Sequence, residues 1–188
     1  VLKDNEKTKQ SLVSSINRLS EDVCAFAKRS GGIALLSDLA ISKECAPIPM
    51  ILAVSAVNQA LIDNGLRMNV SLVLETGQVS SSHHVACALG FGASAIYPFS
   101  VEIRSKEKFA SDAEGAFSKF AKATEKALLK TMGKVGLCTV ESFIGGEFFE
   151  PNFLETKDPY LVKWFPHMKS PLGGVGFDTI IQSVLDWH

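Results

Sequence analysis

The sequence predicts an α/β fold, a parallel sheet of βα units in which short strands alternate with helices. Three observations carry that prediction. Residues 70–74 form a short apolar, β-branched run that stops at Glu75-Thr76-Gly77. Ser80-Ser81 then precedes Val85, Ala86 and Leu89 at near-helical spacing, and Gly90 and Gly92 close that helix. Residues 93–97 are a second apolar run, ended by Pro98, so a strand, a helix and a strand fall within about thirty residues, as a right-handed βαβ crossover requires. In such sheets ligands gather at the carboxyl ends of the strands.

The other elements follow in chain order. Residues 5–27 place Leu12, Ile16, Leu19, Val23 and Ala27 at alternating steps of four and three, one amphipathic helix packed on a larger body. Ser30-Gly31-Gly32 breaks it, and residues 33–36 read as a buried strand emerging into Ser37-Asp38. Pro47 and Pro49 mark the start of an apolar helix that runs to Asn64-Gly65. Its apolar segment, 48–62, is shorter than the roughly 20 residues a membrane span needs and is interrupted by Asn58 and Gln59, so it reads as a buried helix. Residues 100–111 are polar and charged, an exposed junction between two structural units. A helix over 113–132 carries Phe117, Phe120, Ala121, Thr124 and Leu128 on one side, with Gly133 as its stop. Residues 135–140 read as a fourth strand, 143–150 as a helical turn or two, and 151–176 as a long excursion. Asp178 is the expected cap of a last helix over 179–187. Four strands are too few to close an eightfold barrel, so a Rossmann-like sheet, an incomplete barrel and two partial barrels fit the pattern equally.

Composition removes several function classes. Nineteen basic and 20 acidic residues give a net charge of −1 with no block of like charge, which argues against nucleic acid and a membrane surface as partners. Cys24, Cys45, Cys87 and Cys138 lie far apart, with no CxxC pair and no histidine at zinc-finger spacing, and read as reduced cytoplasmic thiols without a metal. There is no signal-peptide pattern, and a first residue that is Val and not Met suggests an excerpt or a processed product.

Few residues carry chemistry by themselves. His83 and His84 diverge by about 100° on a helix, so the pair reads as structural and not as a metal site. Glu75, at a strand end, is a general base if desolvated, but reads more simply as a helix cap or as the partner of a base such as Arg67. Gly90-Phe91-Gly92 precedes a strand, the wrong order for a phosphate loop, whereas Gly173-Gly174-Val175-Gly176 precedes a helix and has the right order for an anion. Cys138 and Thr139 end the expected fourth strand, where they face either a ligand or the core. No Ser-His-Asp order, HExxH or P-loop is present.

The wording of the chain adds a resemblance. Residues 48–57, Leu61-Ile62, Asn64-Gly-Leu-Arg67, Val73-Leu-Glu-Thr-Gly77, His83-His84, Gly90-Phe-Gly-Ala93 and Ala95-Ile-Tyr-Pro98 resemble the later part of the central domain of the glutamate synthase large subunit. Lys126-Ala-Leu-Leu-Lys130, Met132, Lys134, Gly136, Thr139, Ser142, Gly145 and Phe149-Glu150 resemble the passage where that family's flavin barrel begins. The resemblance implies a partial TIM-barrel-like, FMN-linked oxidoreductase-like fragment, with residues 1–110 in the central α/β domain and 111–188 in a truncated FMN-binding (β/α) barrel. It implies a parent that makes glutamate from glutamine and 2-oxoglutarate by channelling ammonia to an FMN site, in which this piece is mainly scaffold and inactive alone. No catalytic residue is expected here, and FMN contact is expected at Cys138, Thr139 and Ser142. The implied partners are the remaining domains of the parent and an electron-donor subunit or ferredoxin, in the cytoplasm. The chain lacks the family's iron–sulfur cysteine cluster. It departs from the family where Val135-Gly-Leu-Cys-Thr139 replaces Met-Gly-Ile-Ser-Thr and Ser142-Phe-Ile-Gly-Gly-Glu147 replaces Ser-Tyr-Arg-Gly-Ala-Gln. Losing the arginine at Ile144 removes a cationic anchor. Asn58-Gln59-Ala60 stands where the family has a histidine cluster. Those losses suit an alternative, a non-catalytic α/β interaction or ligand-binding module. A third reading is an independent enzyme working at Glu75 and His83.

Overall fold

The computed structural model describes residues 5–188, with side chains from residue 7. Its centre is a parallel sheet of three strands in the order β1 (Gly32–Ser37), β2 (Val70–Glu75), β3 (Ala95–Tyr97). Helix α2 (Met50–Asp63) joins the first pair and α3 (Ser82–Gly90) the second. The predicted βαβ unit is therefore present, capped as expected by Ser81, whose hydroxyl accepts from the His84 N–H. β3 starts two residues into its apolar run, because Gly92 takes φ +115° and the Ala93 N–H returns to the Ala88 carbonyl to close α3.

The two faces of the sheet differ. Ala34, Leu36, Val70, Leu72 and Leu74 are buried in one core with α2 and α3, and Ile96 is half-buried beside Leu74. On the opposite face Ile33 is 71% and Leu35 57% exposed, in register with Ser71 and with Val73. Helix α1 (Asn5–Arg29) packs on α2 through the predicted stripe, with Ile16, Val23 and Ala27 buried. α2 itself is buried on most sides, as its continuous apolar character requires.

The structure corrects the second half of the chain. Residues 100–111 are largely exposed, as expected, but most of them belong to helix α4 (Phe99–Lys108), where Glu102 and Lys106 pair one turn apart. Helix α5 (Ala113–Val135) passes through Gly133 and stops at Gly136, which adopts φ +81°. The expected fourth strand, 135–140, is not formed. Val135 is still helical and the Leu137 N–H is held by the Met132 carbonyl. The chain then turns at a 3-10 turn, Val140–Ser142, before it can reach a strand edge. A short apolar run carries no period that separates these outcomes.

Residues 143–149 fold back on the end of α3 through Gly145 N–H to the Leu89 carbonyl and Glu147 N–H to the Gly90 carbonyl, both 3.0 Å. Two short helices complete the molecule, α6 (Pro159–Trp164) and α7 (Phe177–Trp187). They meet through Tyr160, Trp164 and Phe177, with ring centroids 4.9 and 5.4 Å apart. Asp178 is not the cap of α7. Gly176 occupies that position, and the Phe177 N–H is taken by Asp158, whose carboxylate also caps α6 at Tyr160 and Leu161.

Candidate functional site

The register brings Ser37, Glu75 and Tyr97 side by side at the carboxyl edge of the sheet. The Ser37 hydroxyl donates to Glu75 Oε2 at 2.6 Å and accepts from the Leu39 N–H. Tyr97 donates to Glu102 Oε2, and Lys106 Nζ lies 2.7 Å from Glu102 Oε1. These bonds hold the Glu102 carboxyl below its usual range, through Lys106 first and Tyr97 second, and the Glu102 bond raises the Tyr97 phenol. Glu75 does not pair with Arg67, which lies beyond the other end of β2. Its partner is the hydroxyl of the adjacent strand.

Behind this rim is a clamp centred on Asp38, only 9% exposed. Its carboxylate accepts from Thr76 Oγ1 at 2.7 Å, Gly77 N–H at 2.9 Å and Gln78 Nε2 at 2.8 Å. Gln78 also donates to the Ile48 carbonyl and accepts from the Met50 N–H, and the Ser100 hydroxyl donates to the Gly77 carbonyl. The loops after β1 and β2, the start of α2 and the start of α4 are thereby fixed to one another. Sequence reading noted Ser37-Asp38 and Glu75-Thr76-Gly77 as polar strand ends but missed Gln78, which no local pattern marks.

The amino end of the sheet is also pinned. Arg67 donates to Asn58 Oδ1, the Val70 carbonyl and the Gly92 carbonyl at 2.6, 2.6 and 2.9 Å, and burial pushes its pKa down. A Cβ on Gly92 would stand 2.5 Å from the Asn58 side chain, so this close approach requires glycine there. The His83 and His84 rings are 6.5 Å apart, tilted, and take different partners: His83 lies edge-on to Phe149 and 3.5 Å from the Cys87 sulfur, while His84 Nδ1 accepts from the Ser80 N–H. Burial raises the Cys87 thiol. Among the described residues no three His, Cys, Asp or Glu side chains come together as a metal site, and no helix is long and apolar enough to cross a membrane.

Cys138, Thr139 and Ser142 lie on one exposed turn beyond α5, where Thr139 Oγ1 and Ser142 Oγ are 3.0 Å apart. This turn leads into the segment docked on the last turn of α3, and its Val140 lines one groove with Tyr97 and Pro98. That groove, apolar and of about 410 Å³, runs between α3, β3 and α5, lined also by Leu89, Ile96, Phe117, Phe120 and Leu128. The two hydroxyls are turned to each other, and Ile144 brings no cation to the turn. At the Gly173–Gly176 stretch carboxylates stand where an anion was expected: Asp158 holds the Phe177 N–H, and Glu155 Oε2 would stand 2.9 Å from a Cβ on Gly173.

Comparison with known proteins settles the relationship. The family model of the glutamate synthase central domain matches residues 2–153. The chain belongs to the glutamate synthase central-domain family. It is 34% identical over 166 positions to the glutamate synthase [NADPH] large chain of Bacillus subtilis (strain 168), covering 85% of this chain and 11% of that protein. It is 34% identical over 195 positions to the chloroplastic ferredoxin-dependent glutamate synthase of Spinacia oleracea, covering 94% and 12%. It is 30% identical over 182 positions to the glutamate synthase [NADH] of Schizosaccharomyces pombe, covering 93% and 8%. The chain thus spans about a tenth of the length of the glutamate synthases it matches, and the central-domain match continues beyond α5.

Proposed function

We propose that the chain works as a segment of a glutamate synthase, a rigid spacer between the site that releases ammonia from glutamine and the site that reduces its adduct with 2-oxoglutarate. The observation that carries this reading is the central-domain match over 2–153 together with relatives that are all named as glutamate synthases. An enclosed spacer serves that chemistry because ammonia released into water is protonated and diluted, whereas a closed route preserves proximity. The Asp38 clamp and the Arg67 knot suit a spacer, since each locks loops at one end of the sheet. The piece alone is inactive on this reading, and the reduction belongs to the flavin-binding part of the parent.

The finer assignments form part of the same proposal. The sheet is read as part of a TIM-barrel-like wall: its strands lie in chain order, its helical crossovers share one core, and its other face is uncovered. Residues 1–110 are assigned to the body of the central domain and 111–188 to the passage toward the FMN barrel, of which 111–153 still match the central-domain model. Cys138, Thr139 and Ser142 meet FMN only as one edge of a pocket that other parts of the parent complete. The partners are those other parts and an electron-donor subunit or ferredoxin, and the place of action is the cytoplasm. The test is glutamate formation by the full-length polypeptide supplied with glutamine, 2-oxoglutarate and a reductant. No glutamate from that polypeptide ends this reading.

A second reading has its own support. Ile144 brings no cation and the Thr139–Ser142 pair is turned on itself, as in a module that kept the fold and lost flavin contact. Stoichiometric FMN binding by the full-length polypeptide, lost on joint substitution of Thr139 and Ser142 by Ala, contradicts it.

A further inference from the structure

We infer that Glu147 is an acid-strengthened latch, a half-buried carboxyl with one buried, unpartnered oxygen, whose proton decides how firmly residues 143–149 dock on the end of α3. Three observations place it there. Glu147 adopts φ +51°, a conformation unfavourable for a side chain with a Cβ, so the docked segment holds it against a backbone preference. Its N–H donates to the Gly90 carbonyl, which puts the residue at the negative end of α3. Its Oε2 is buried with no hydrogen-bond partner among the described residues, which an ionised oxygen tolerates poorly and a protonated carboxyl tolerates better.

The surroundings agree with that assignment. From α3 the docked segment meets two titratable groups, the Cys87 thiol and the His83 ring, which lies edge-on to Phe149 and 3.5 Å from the Cys87 sulfur, beside the backbone carbonyls of the last turn. The docked segment is walled by Phe143, Phe148 and Phe149, and its own charged neighbours Glu141 and Glu150 are exposed and acidic. Among the described residues the opposing influence is His167, exposed on the turn after α6, whose positive form favours the carboxylate. Desolvation outweighs it, and the Glu147 pKa is raised above its ordinary 4.5.

The sign follows from linkage. With the docked value raised, the proton is bound more tightly when the segment is docked. Docking is therefore firmest below 4.5, weakens as pH rises from there to the docked value, and levels off above it. Because Gly145 and Glu147 donate their amide protons across this junction, their exchange reports it.

The test is amide hydrogen exchange of the 188-residue chain, followed by NMR between about pH 4 and pH 8 and corrected for intrinsic exchange. Protection at Gly145 and Glu147 should fall by up to about tenfold per pH unit within the window, while the β1–β2 ladder stays constant. Glu147→Gln, neutral at every pH, should remove the dependence. Glu147→Gly, which relaxes the backbone and has no carboxyl, should also be flat, with no less protection than wild type at neutral pH. Flat protection in the wild type, or a Gln variant that follows the wild-type curve, overturns the latch.

Discussion

Asp38 shows how much one side chain settles. It is a buried carboxylate that satisfies three donors from the loop after β2, and Gln78 extends its hold to α2. Asp38→Ala leaves the Thr76 hydroxyl and the Gly77 amide without their acceptor, at a cost of about 2–4 kcal/mol in urea unfolding, and Asp38→Asn should cost less because one acceptor oxygen remains. Arg67→Lys is a second test at this scale. A lysine amine cannot reproduce three bonds to Asn58, Val70 and Gly92 from one planar group, so a loss of about 1–3 kcal/mol is expected in the same measurement. These residues were only half legible in the sequence. Polar groups at strand ends are visible in the wording, but which of them face one another depends on register: Glu75 meets Ser37 across one strand spacing, while Arg67 lies at the opposite end of β2.

At the scale of elements, the amphipathic helix stripe and the apolar runs of the βαβ units were legible, and the stretch that follows α5 was not. The stripe Leu12, Ile16, Leu19, Val23, Ala27 and the apolar runs of β1, β2 and α2 carry their own signal. The stretch 135–140 does not, and its outcome was decided by Gly136, which ends α5 in the left-handed region three residues after the glycine expected to do so. Gly136→Ala should therefore destabilise by about 1 kcal/mol, whereas Gly133→Ala, with open space around it inside the helix, should stabilise by a similar amount. Thermal melting followed by circular dichroism separates the two. Asp158 is the other element-scale device, since one carboxylate caps α6 and receives the first amide of α7. The cap was invisible in the sequence because its second partner lies nineteen positions away, across two glycines of positive φ.

For the whole molecule, the central feature is asymmetry of the sheet. Parallel sheets are ordinarily covered on both faces, yet here the helices cover one and leave Ile33 and Leu35 open on the other. On the spacer reading proposed above, the bare face is an inner surface that the rest of the parent polypeptide covers, and that reading rests on the family match and on the small share of each relative that the chain spans. The parallel order was legible from the βαβ spacing, but the bareness of one face was not, because an apolar strand reads the same whether it is covered once or twice.

The most direct measurement is Leu35→Asp made twice, in the 188-residue chain and in the full-length polypeptide. In the chain, where Leu35 is already 57% exposed, the unfolding midpoint should move by no more than about 0.5 kcal/mol equivalent, while the full-length polypeptide should lose glutamate formation and melt earlier. A full-length polypeptide that tolerates the charge, or a chain that unfolds because of it, contradicts the account.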